Sequence, residues 1–160
     1  MILCTVALVG ACHQDSGTPP PPAPTPHVRV PVVKKGPTAA ELTVGMVEAA
    51  RQGKSQLDVQ LKFELPRRPI LGQPLEVDLA VMPQIDAAAE IQVAGGDGLT
   101  LAAGANHFDL GTVEPGQVYR QNLSLTPNAE GVLLLSLTVL LKHDETVESR
   151  AFSIPLIVER

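Results

Sequence analysis

From residue 57 onward, apolar and polar residues alternate with a period of two. The apolar positions of the first run are Leu57, Val59, Leu61, Phe63 and Leu65. Because an extended chain places successive side chains on opposite faces, this alternation is typical of a strand with one buried face. Similar runs, separated by Gly, Pro, Asn and Asp, occur at 75–81, 91–93, 99–101, 108–110, 118–125, 132–141 and 152–158. Seven or eight short strands predict an all-β, antiparallel sandwich.

Two of these runs also predict their place in a sheet. Residues 132–141 are apolar at both alternating sets of positions, which predicts a central strand. The last run contains Pro155, which has no backbone N–H for a ladder bond, so we expect that end of the strand at an edge.

Residues 39–52 leave two interpretations open. Thr38 and Glu41 have the spacing of a helix capping box, and Gly53 is placed to end a helix. The β-branched residues Thr43, Val44 and Val47 suit a strand equally well. The segment is therefore either a short helix or an edge strand, and we favour the strand.

The strand-leading sequences resemble those of the immunoglobulin-like modules of bacterial envelope proteins. They are Gly72-Gln73-Pro74-Leu75-Glu76-Val77, Leu110-Gly111-Thr112-Val113-Glu114-Pro115-Gly116-Gln117, and Leu125-Thr126-Pro127 followed by Gly131-Val132-Leu133-Leu134. The chain lacks the buried tryptophan and paired cysteines of antibody domains, and Tyr119 is not placed for a tyrosine corner. The resemblance implies an immunoglobulin-like sandwich and no particular activity.

The amino terminus is an apolar run of 11 residues that ends at Ala11. A membrane-spanning helix needs about 20 residues, so the run is typical of a signal peptide with small residues before the cut. The tetrapeptide Val9-Gly10-Ala11-Cys12 resembles the lipobox of bacterial lipoprotein precursors. An alternative is a buried strand with an incidental cysteine, but four consecutive prolines from Pro19 to Pro22 make a buried strand a poor fit.

The lipobox resemblance implies cleavage between Ala11 and Cys12 and acylation of Cys12 by more than one chain, such as palmitate. His13 follows the cysteine, where the inner-membrane retention signal of these lipoproteins has an aspartate. The resemblance therefore implies an outer-membrane anchor with the protein facing the periplasm.

The chain divides into three parts. Residues 1–11 are the predicted signal peptide, 12–37 the lipidated cysteine and a tether, and 38–160 the sandwich domain. Six prolines in the nine residues 18–26 predict a stiff, extended polyproline II spacer.

Composition argues against several classes of ligand. The aromatic residues are only Phe63, Phe108, Tyr119 and Phe152, too few for the stacking platforms of sugar-binding or single-strand-binding surfaces. The net charge of −5 argues against nucleic acid. We expect no nucleic-acid partner and no small-molecule ligand. Once Cys4 is removed and Cys12 acylated, the domain has no cysteine and depends on its apolar core.

Four motifs were weighed for chemistry. Gly53-Lys54-Ser55 resembles the end of a phosphate-binding loop, but Glu48 stands where that loop needs a glycine and a strand follows. Residues 95–98 (Gly-Gly-Asp-Gly) predict a turn. His143-Asp144-Glu145 predicts a solvated turn between two long strands. His107 and Asp109 share a predicted strand face and are expected to form a hydrogen-bonded pair, with no nucleophile beside them. We therefore predict no catalytic residue, no metal ligand and no cofactor.

The sequence thus predicts a membrane-tethered envelope lipoprotein whose domain binds or scaffolds another envelope protein, through a sheet face or an unpaired edge. It predicts that the chain is not an enzyme. The alternative is a metal-dependent or hydrolytic enzyme built on loops at one end of the sandwich.

Overall fold

The computed structural model describes residues 37–160; the predicted signal peptide, Cys12 and the spacer lie outside the described part. Within it the chain forms ten strands and one short helix. The elements are α1 (Ala39–Leu42), β1 (Val47–Glu48), β2 (Ala50–Gln52), β3 (Val59–Glu64), β4 (Leu75–Pro83), β5 (Ala87–Gly95), β6 (Leu99–Leu101), β7 (His107–Val113), β8 (Tyr119–Pro127), β9 (Gly131–His143) and β10 (Thr146–Val158). The predicted all-β fold is confirmed.

The strands form two antiparallel five-stranded sheets packed face to face. The first sheet has the order β1-β3-β4-β8-β6, and the second sheet has the order β2-β10-β9-β5-β7. The eight predicted runs correspond to β3 through β10, and the two additional strands come from residues 39–52, for which the sequence allows a helix or a strand. The result is an antiparallel, immunoglobulin-like β-sandwich.

The undecided segment 39–52 contains both predicted structures. It begins with α1, where the capping box forms: the Thr38 N–H donates to Glu41 Oε2 at 2.6 Å and the Glu41 N–H donates to Thr38 Oγ1 at 3.3 Å. The Thr38 hydroxyl also donates to Glu41 Oε2, at 2.8 Å. The two bonds that the carboxylate accepts, the one from the Thr38 backbone N–H first, lower the pKa of the Glu41 carboxyl. The chain then enters β1 of the first sheet and passes at once to β2 of the second. The preferred strand is therefore confirmed for 47–48 and 50–52, and the helix for 39–42.

The core consists of the apolar side chains at alternating positions of the strands, which point inward from both sheets. In β3 the side chains of Val59, Leu61 and Phe63 are buried and those between them are half-buried. Leu135 and Phe152 contribute the same way from the second sheet. Each fully buried aliphatic or aromatic side chain stabilises the fold by about 1.5–3 kcal/mol. Burial of this kind replaces disulfides as the source of stability.

Strand β9 is central, as predicted, since it lies between β10 and β5 in the second sheet. Its odd-numbered residues from Leu133 to Leu141 are buried, among them Leu135 and Leu137. Its second set of apolar residues points outward, and Val132 and Leu134 are 66% and 53% exposed. The sequence therefore identified the position of β9 correctly, but only one of its two apolar faces is covered.

The end of β10 is also an edge, as Pro155 predicted. Although β10 is second in the order of its sheet, its outer neighbour β2 pairs only with Ala151, Phe152 and Ser153. Pro155 lies beyond β2, and on its other side it is in register with Leu134 of β9. An exposed edge tolerates a residue that cannot donate a ladder bond.

The opposite edge of the second sheet, β7, is interrupted by a bulge. Ala89 pairs with Gly111 and Glu90 with Asp109, so Leu110 has no partner on β5. Gly111 has φ +66°, a backbone conformation that glycine adopts without a Cβ clash. Its N–H donates to Asp109 Oδ1 at 2.8 Å. A bulge and a charged side chain are two ways in which edge strands avoid pairing with other chains.

Candidate binding face

The expected pair of His107 and Asp109 is not formed. His107 Nε2 lies 3.3 Å from Glu90 Oε2 on the neighbouring strand β5, while Asp109 accepts a hydrogen bond from the Gly111 backbone. The reason is the bulge in β7, which engages the Asp109 carboxylate locally. Across the two strands Glu90 and Asp109 are register partners. The result is an exposed acid–histidine group without a neighbouring nucleophile.

The sequence His143-Asp144-Glu145 lies at the reversal of β9 into β10, as predicted. His143 and Thr146 are register partners, and Asp144 has φ +53° in the two-residue turn between them. His143 Nδ1 lies 2.9 Å from the carbonyl oxygen of Asp86, and Nε2 lies 3.3 Å from Asp144 Oδ2. Within residues 37–160, no group of three His, Cys, Asp or Glu side chains is arranged to hold a metal ion.

The two glycine motifs form loops. Gly53 has φ +70° and leads from β2 towards β3, and no helix follows Ser55. The Ser55 hydroxyl accepts a hydrogen bond from the Leu57 N–H at 3.2 Å, so it stabilises the loop. Residues 95–98 turn from β5 into β6, closed by a bond from the Leu99 N–H to the Gly96 carbonyl at 3.1 Å. Both outcomes agree with the sequence interpretation.

The most prominent exposed group of apolar side chains lies on the outer face of the second sheet. Val132 and Ile157 are register partners, as are Leu134 and Pro155, so the four side chains stand together on one face. Val132, Leu134 and Ile157 are each more than half exposed, Ile157 by 65%. We call these four residues the apolar patch. Exposed groups of this kind are typical of interaction surfaces.

The rest of the β9–β10 outer face continues the apolar patch with small uncharged residues. The outward positions from Val132 to Leu140 and from Ser149 to Ile157 carry no charge. They are Val132, Leu134, Ser136, Thr138, Leu140, Ser149, Ala151, Ser153, Pro155 and Ile157. We call these ten positions the neutral strip. Since none of them is ionised, covering this strip requires no charge to lose its hydration.

A group of charged side chains lies at one end of the neutral strip. Glu90, Asp109 and Lys142 line a shallow groove of about 310 Å³, together with Leu140 and Val147. His107 contacts Glu90 beside it. The face therefore has an apolar end and a polar end, which gives a partner a defined direction on the sheet.

A second groove of about 350 Å³ adjoins the apolar patch. The lining residues are Leu65, Arg68, Pro69, Pro155, Ile157 and Glu159. An exposed ion pair marks its rim, with Arg68 Nη1 3.9 Å from Glu159 Oε2. Exposed ion pairs contribute little to stability, so this one serves mainly as the polar border of an apolar groove.

One feature of the binding face and one of the first sheet were not predicted from the sequence. The apolar patch was not predicted, because apolar residues at both alternating sets of positions in 132–141 indicate a strand buried on both faces. Val132 and Leu134 belong to one of these sets. The sequence does not place Tyr119 for a tyrosine corner, and in the structure its hydroxyl accepts a hydrogen bond from the Glu114 N–H at 2.8 Å, five residues earlier. The Glu114-Pro115-Gly116 turn was the available signal for this bond, since it returns the chain towards Tyr119.

Among the described residues, no helix is long and apolar enough to cross a membrane. No protein-family model matches the chain, and no curated protein sequence matches it. Solved structures with a related fold include three domains. The GAE domain of GGA2p from Saccharomyces cerevisiae is 12% identical with a TM-score of 0.41, and the match covers 68% of this chain and 96% of that one.

The second is the PapD-like domain 7 of human CEP192, 10% identical with a TM-score of 0.43 over 68% of this chain and 91% of that one. The third is the C-terminal domain of wzt, 20% identical with a TM-score of 0.41 over 73% of this chain and 80% of that one.

Proposed function

We propose that this chain is a lipid-anchored protein of the bacterial cell envelope whose β-sandwich binds another envelope protein. The binding surface in this proposal is the outer face of the second sheet. We expect the apolar patch to contribute most of the binding free energy. The single observation that carries the proposal is the exposure of Val132, Leu134 and Ile157 together within the uncharged part of this face, the neutral strip.

The physical argument is the free energy of desolvation. Burying apolar surface contributes about 25 cal/mol per Å², whereas burying an unpaired charge is strongly unfavourable. A partner that covers the neutral strip buries apolar surface without burying an unpaired charge. A partner of matching chemistry presents an uncharged, apolar surface to the strip and a polar group to the Glu90–Lys142 end.

The alternative of pairing through a sheet edge has less support. Strands β1, β2 and β6 have only two or three residues, and β7 contains the bulge at Gly111. Such edges offer few consecutive backbone groups to an added strand. Of the two possibilities, a face or an edge, we therefore favour the face for the partner.

The membrane part of the proposal depends on the sequence. The lipobox-like Val9-Gly10-Ala11-Cys12 and the proline-rich spacer support acylation of Cys12, an outer-membrane anchor and a periplasmic domain. Two or more acyl chains give stable attachment where a single chain is marginal. A tether also raises the effective concentration of two proteins held at the same membrane.

An enzyme on loops is not proposed. Within residues 37–160, neither His107 nor His143 is hydrogen-bonded to a serine, threonine or cysteine side chain. Hydrolysis through a covalent intermediate needs such a nucleophile, activated by a neighbouring base.

The test is capture of the partner from detergent-solubilised envelope. Changing both Val132 and Leu134 to Asp places two charges on the apolar patch, and we expect loss of a stoichiometric partner, by at least ~10-fold. The matched control is Gln60→Asp, an outward position on the first sheet. Alanine at His107, His143 and Asp144 should leave capture unchanged.

The anchor is tested in the same experiment. Cys12→Ala should move the protein out of the membrane fraction, because no acyl chain is attached. The proposal fails if the patch variant retains its partner, or if the three alanine substitutions abolish capture. Equal labelling of wild type and Cys12→Ala by a fatty-acid analogue contradicts the lipoprotein assignment.

A further inference from the structure

The apolar patch has the chemistry of a surface that matches itself. Val132, Leu134 and Ile157 are 66%, 53% and 65% exposed, and Pro155 is also exposed. The four side chains stand on two adjacent strands, and none of them is charged. Because the hydrophobic effect has no direction, such a patch gains free energy against any uncharged apolar surface. The patch of a second copy of this chain is such a surface, and it has the same size.

The charges that border the apolar patch compensate one another within the chain. Glu130 immediately precedes β9, and Glu159 and Arg160 follow β10, so they stand at the strand ends that carry the patch. Arg160 Nε lies 2.6 Å from Glu130 Oε1, and Arg68 Nη1 lies 3.9 Å from Glu159 Oε2. These two ion pairs have no net charge. The border they form therefore does not repel an identical border, as a border of one sign would.

We infer that the apolar patch is covered by the patch of a second copy of this chain, related to the first by a two-fold axis. A two-fold axis brings the same surface of both copies together, so a residue beside the axis lies close to its own counterpart. The inference uses the surface of the proposed function and rests on that function for the membrane anchor. In this arrangement the second copy and the envelope partner compete for the patch.

The polar end of the neutral strip decides the direction of the axis. With the axis along the strands, the polar ends of both copies would meet, and Glu90 and Asp109 of one copy would face those of the other. Lys142 alone does not compensate both carboxylates, and bringing like charges together is strongly unfavourable. With the axis across the strands at the patch, the two patches meet and the polar ends extend in opposite directions into water. The charges therefore favour the axis across the strands.

The size of the contact indicates where such a dimer is populated. A stable interface buries about 800 Å² on each partner, from about 20–30 residues a side. The neutral strip has ten positions, and the apolar patch is four of them. The contact is therefore too small for a tight dimer in dilute solution. It suffices where two copies are held at one membrane, because tethering raises their effective concentration.

The test is chemical crosslinking of the full chain in its own membrane. Ile157→Cys places an exposed thiol beside the axis. A bis-maleimide with a reach of about 10 Å matches the spacing of packed sheets. We expect a product of twice the mass of the chain, at least ~10-fold more abundant than in the wild type. The wild type measures the background from Cys4 and Cys12.

Two matched controls place the thiol at exposed positions away from the axis. Ser149 lies at the polar end of the strip, eight residues from Ile157 along β10, so two copies of Ser149→Cys stand about 50 Å apart. Asn122 lies outward on the first sheet, in register with Asp78. Both cysteine variants should give no more product than the wild type. Adding V132D/L134D to Ile157→Cys should reduce the product at least ~10-fold, because the contact would bury unpaired charges.

The inference is overturned if Ile157→Cys gives no more dimer than the wild type, or if V132D/L134D leaves that dimer unchanged. Equal crosslinking by Ser149→Cys contradicts the axis across the strands. A product that contains a different protein also overturns the inference, and it supports the proposed partner. Partner capture is a separate readout. Loss of capture by V132D/L134D without a crosslinked dimer supports the proposed function alone, and a crosslinked dimer with capture retained supports the inference alone.

Discussion

The two sheets bury similar inner faces but have different outer faces. Outward from the first sheet stand six charged side chains, Glu48, Lys62, Glu64, Glu76, Asp78 and Arg120. Outward from β9 and β10 of the second sheet stand the ten uncharged residues of the neutral strip. Strands of both sheets have apolar residues at alternating positions. This alternation therefore fixes the buried face, but it does not determine whether the outer face is charged or neutral.

Within residues 37–160, a local cover lies on the outer face of the first sheet and none lies on that of the second. Thr43 accepts a hydrogen bond from Lys62 Nζ, and a Cβ on Gly45 would lie 3.7 Å from Glu64 Oε1, so the segment after α1 lies against this charged face. Charged side chains keep their hydration when a face stays in water. Covering the outer face of the first sheet would remove several charges from water, whereas covering the neutral strip would remove none.

The largest expected effect compares the two sides of β9. Leu135 is fully buried and Leu134 is 53% exposed, although they are neighbours in sequence. Leu135→Ala removes core contacts and leaves a cavity, and should cost about 2–5 kcal/mol of unfolding free energy. Leu134→Ala should cost less than about 1 kcal/mol. Urea titration of both variants measures this, and equal losses would mean that the apolar patch is part of a covered core.

A second substitution tests how closely the turn after β5 fixes the apolar patch. A Cβ added to Gly96 would lie 2.7 Å from the backbone oxygen of Leu134, too close without a shift of the backbone. Gly96→Ala should therefore reduce the free energy of unfolding by about 1–3 kcal/mol, the usual cost of overpacking. Thermal denaturation provides the measurement. A loss below about 0.5 kcal/mol would show that the turn is free to move away from β9.

The smallest expected effect concerns the cover on the first sheet. Hydrogen bonds from Thr38 hold the Glu41 pKa below its usual value of 4.5, so the capping box is complete at neutral pH. As the pH falls from 4.5 through the lowered pKa, protonation removes this contribution and α1 should open locally. The exchange rate of the Leu42 amide, which donates to the Thr38 carbonyl at 3.0 Å, reports this opening. Glu41→Gln should abolish the pH dependence, and its persistence would assign the effect to another group.

The sequence by itself determined the strands and the core of this protein. A period of two places Val59, Leu61 and Phe63 on one face whatever surrounds them, and burial of that face follows from the hydrophobic effect. The capping box at Thr38 and the edge position of Pro155 were predicted for the same reason: each depends on local backbone groups. The lipobox-like Cys12 is also a local pattern, and it remains a prediction.

Only the tertiary structure decided which apolar residues stay exposed. Val132 and Leu134 look like core residues in the sequence, but whether a face is covered depends on which elements pack against it, and on the second sheet no described element covers them. The partner of His107 was decided in the same way. A bulge at Gly111, set by strand pairing between β5 and β7, engaged Asp109 and left Glu90 to contact the histidine. Register and packing are long-range properties, and the spacing of residues along the chain does not contain them.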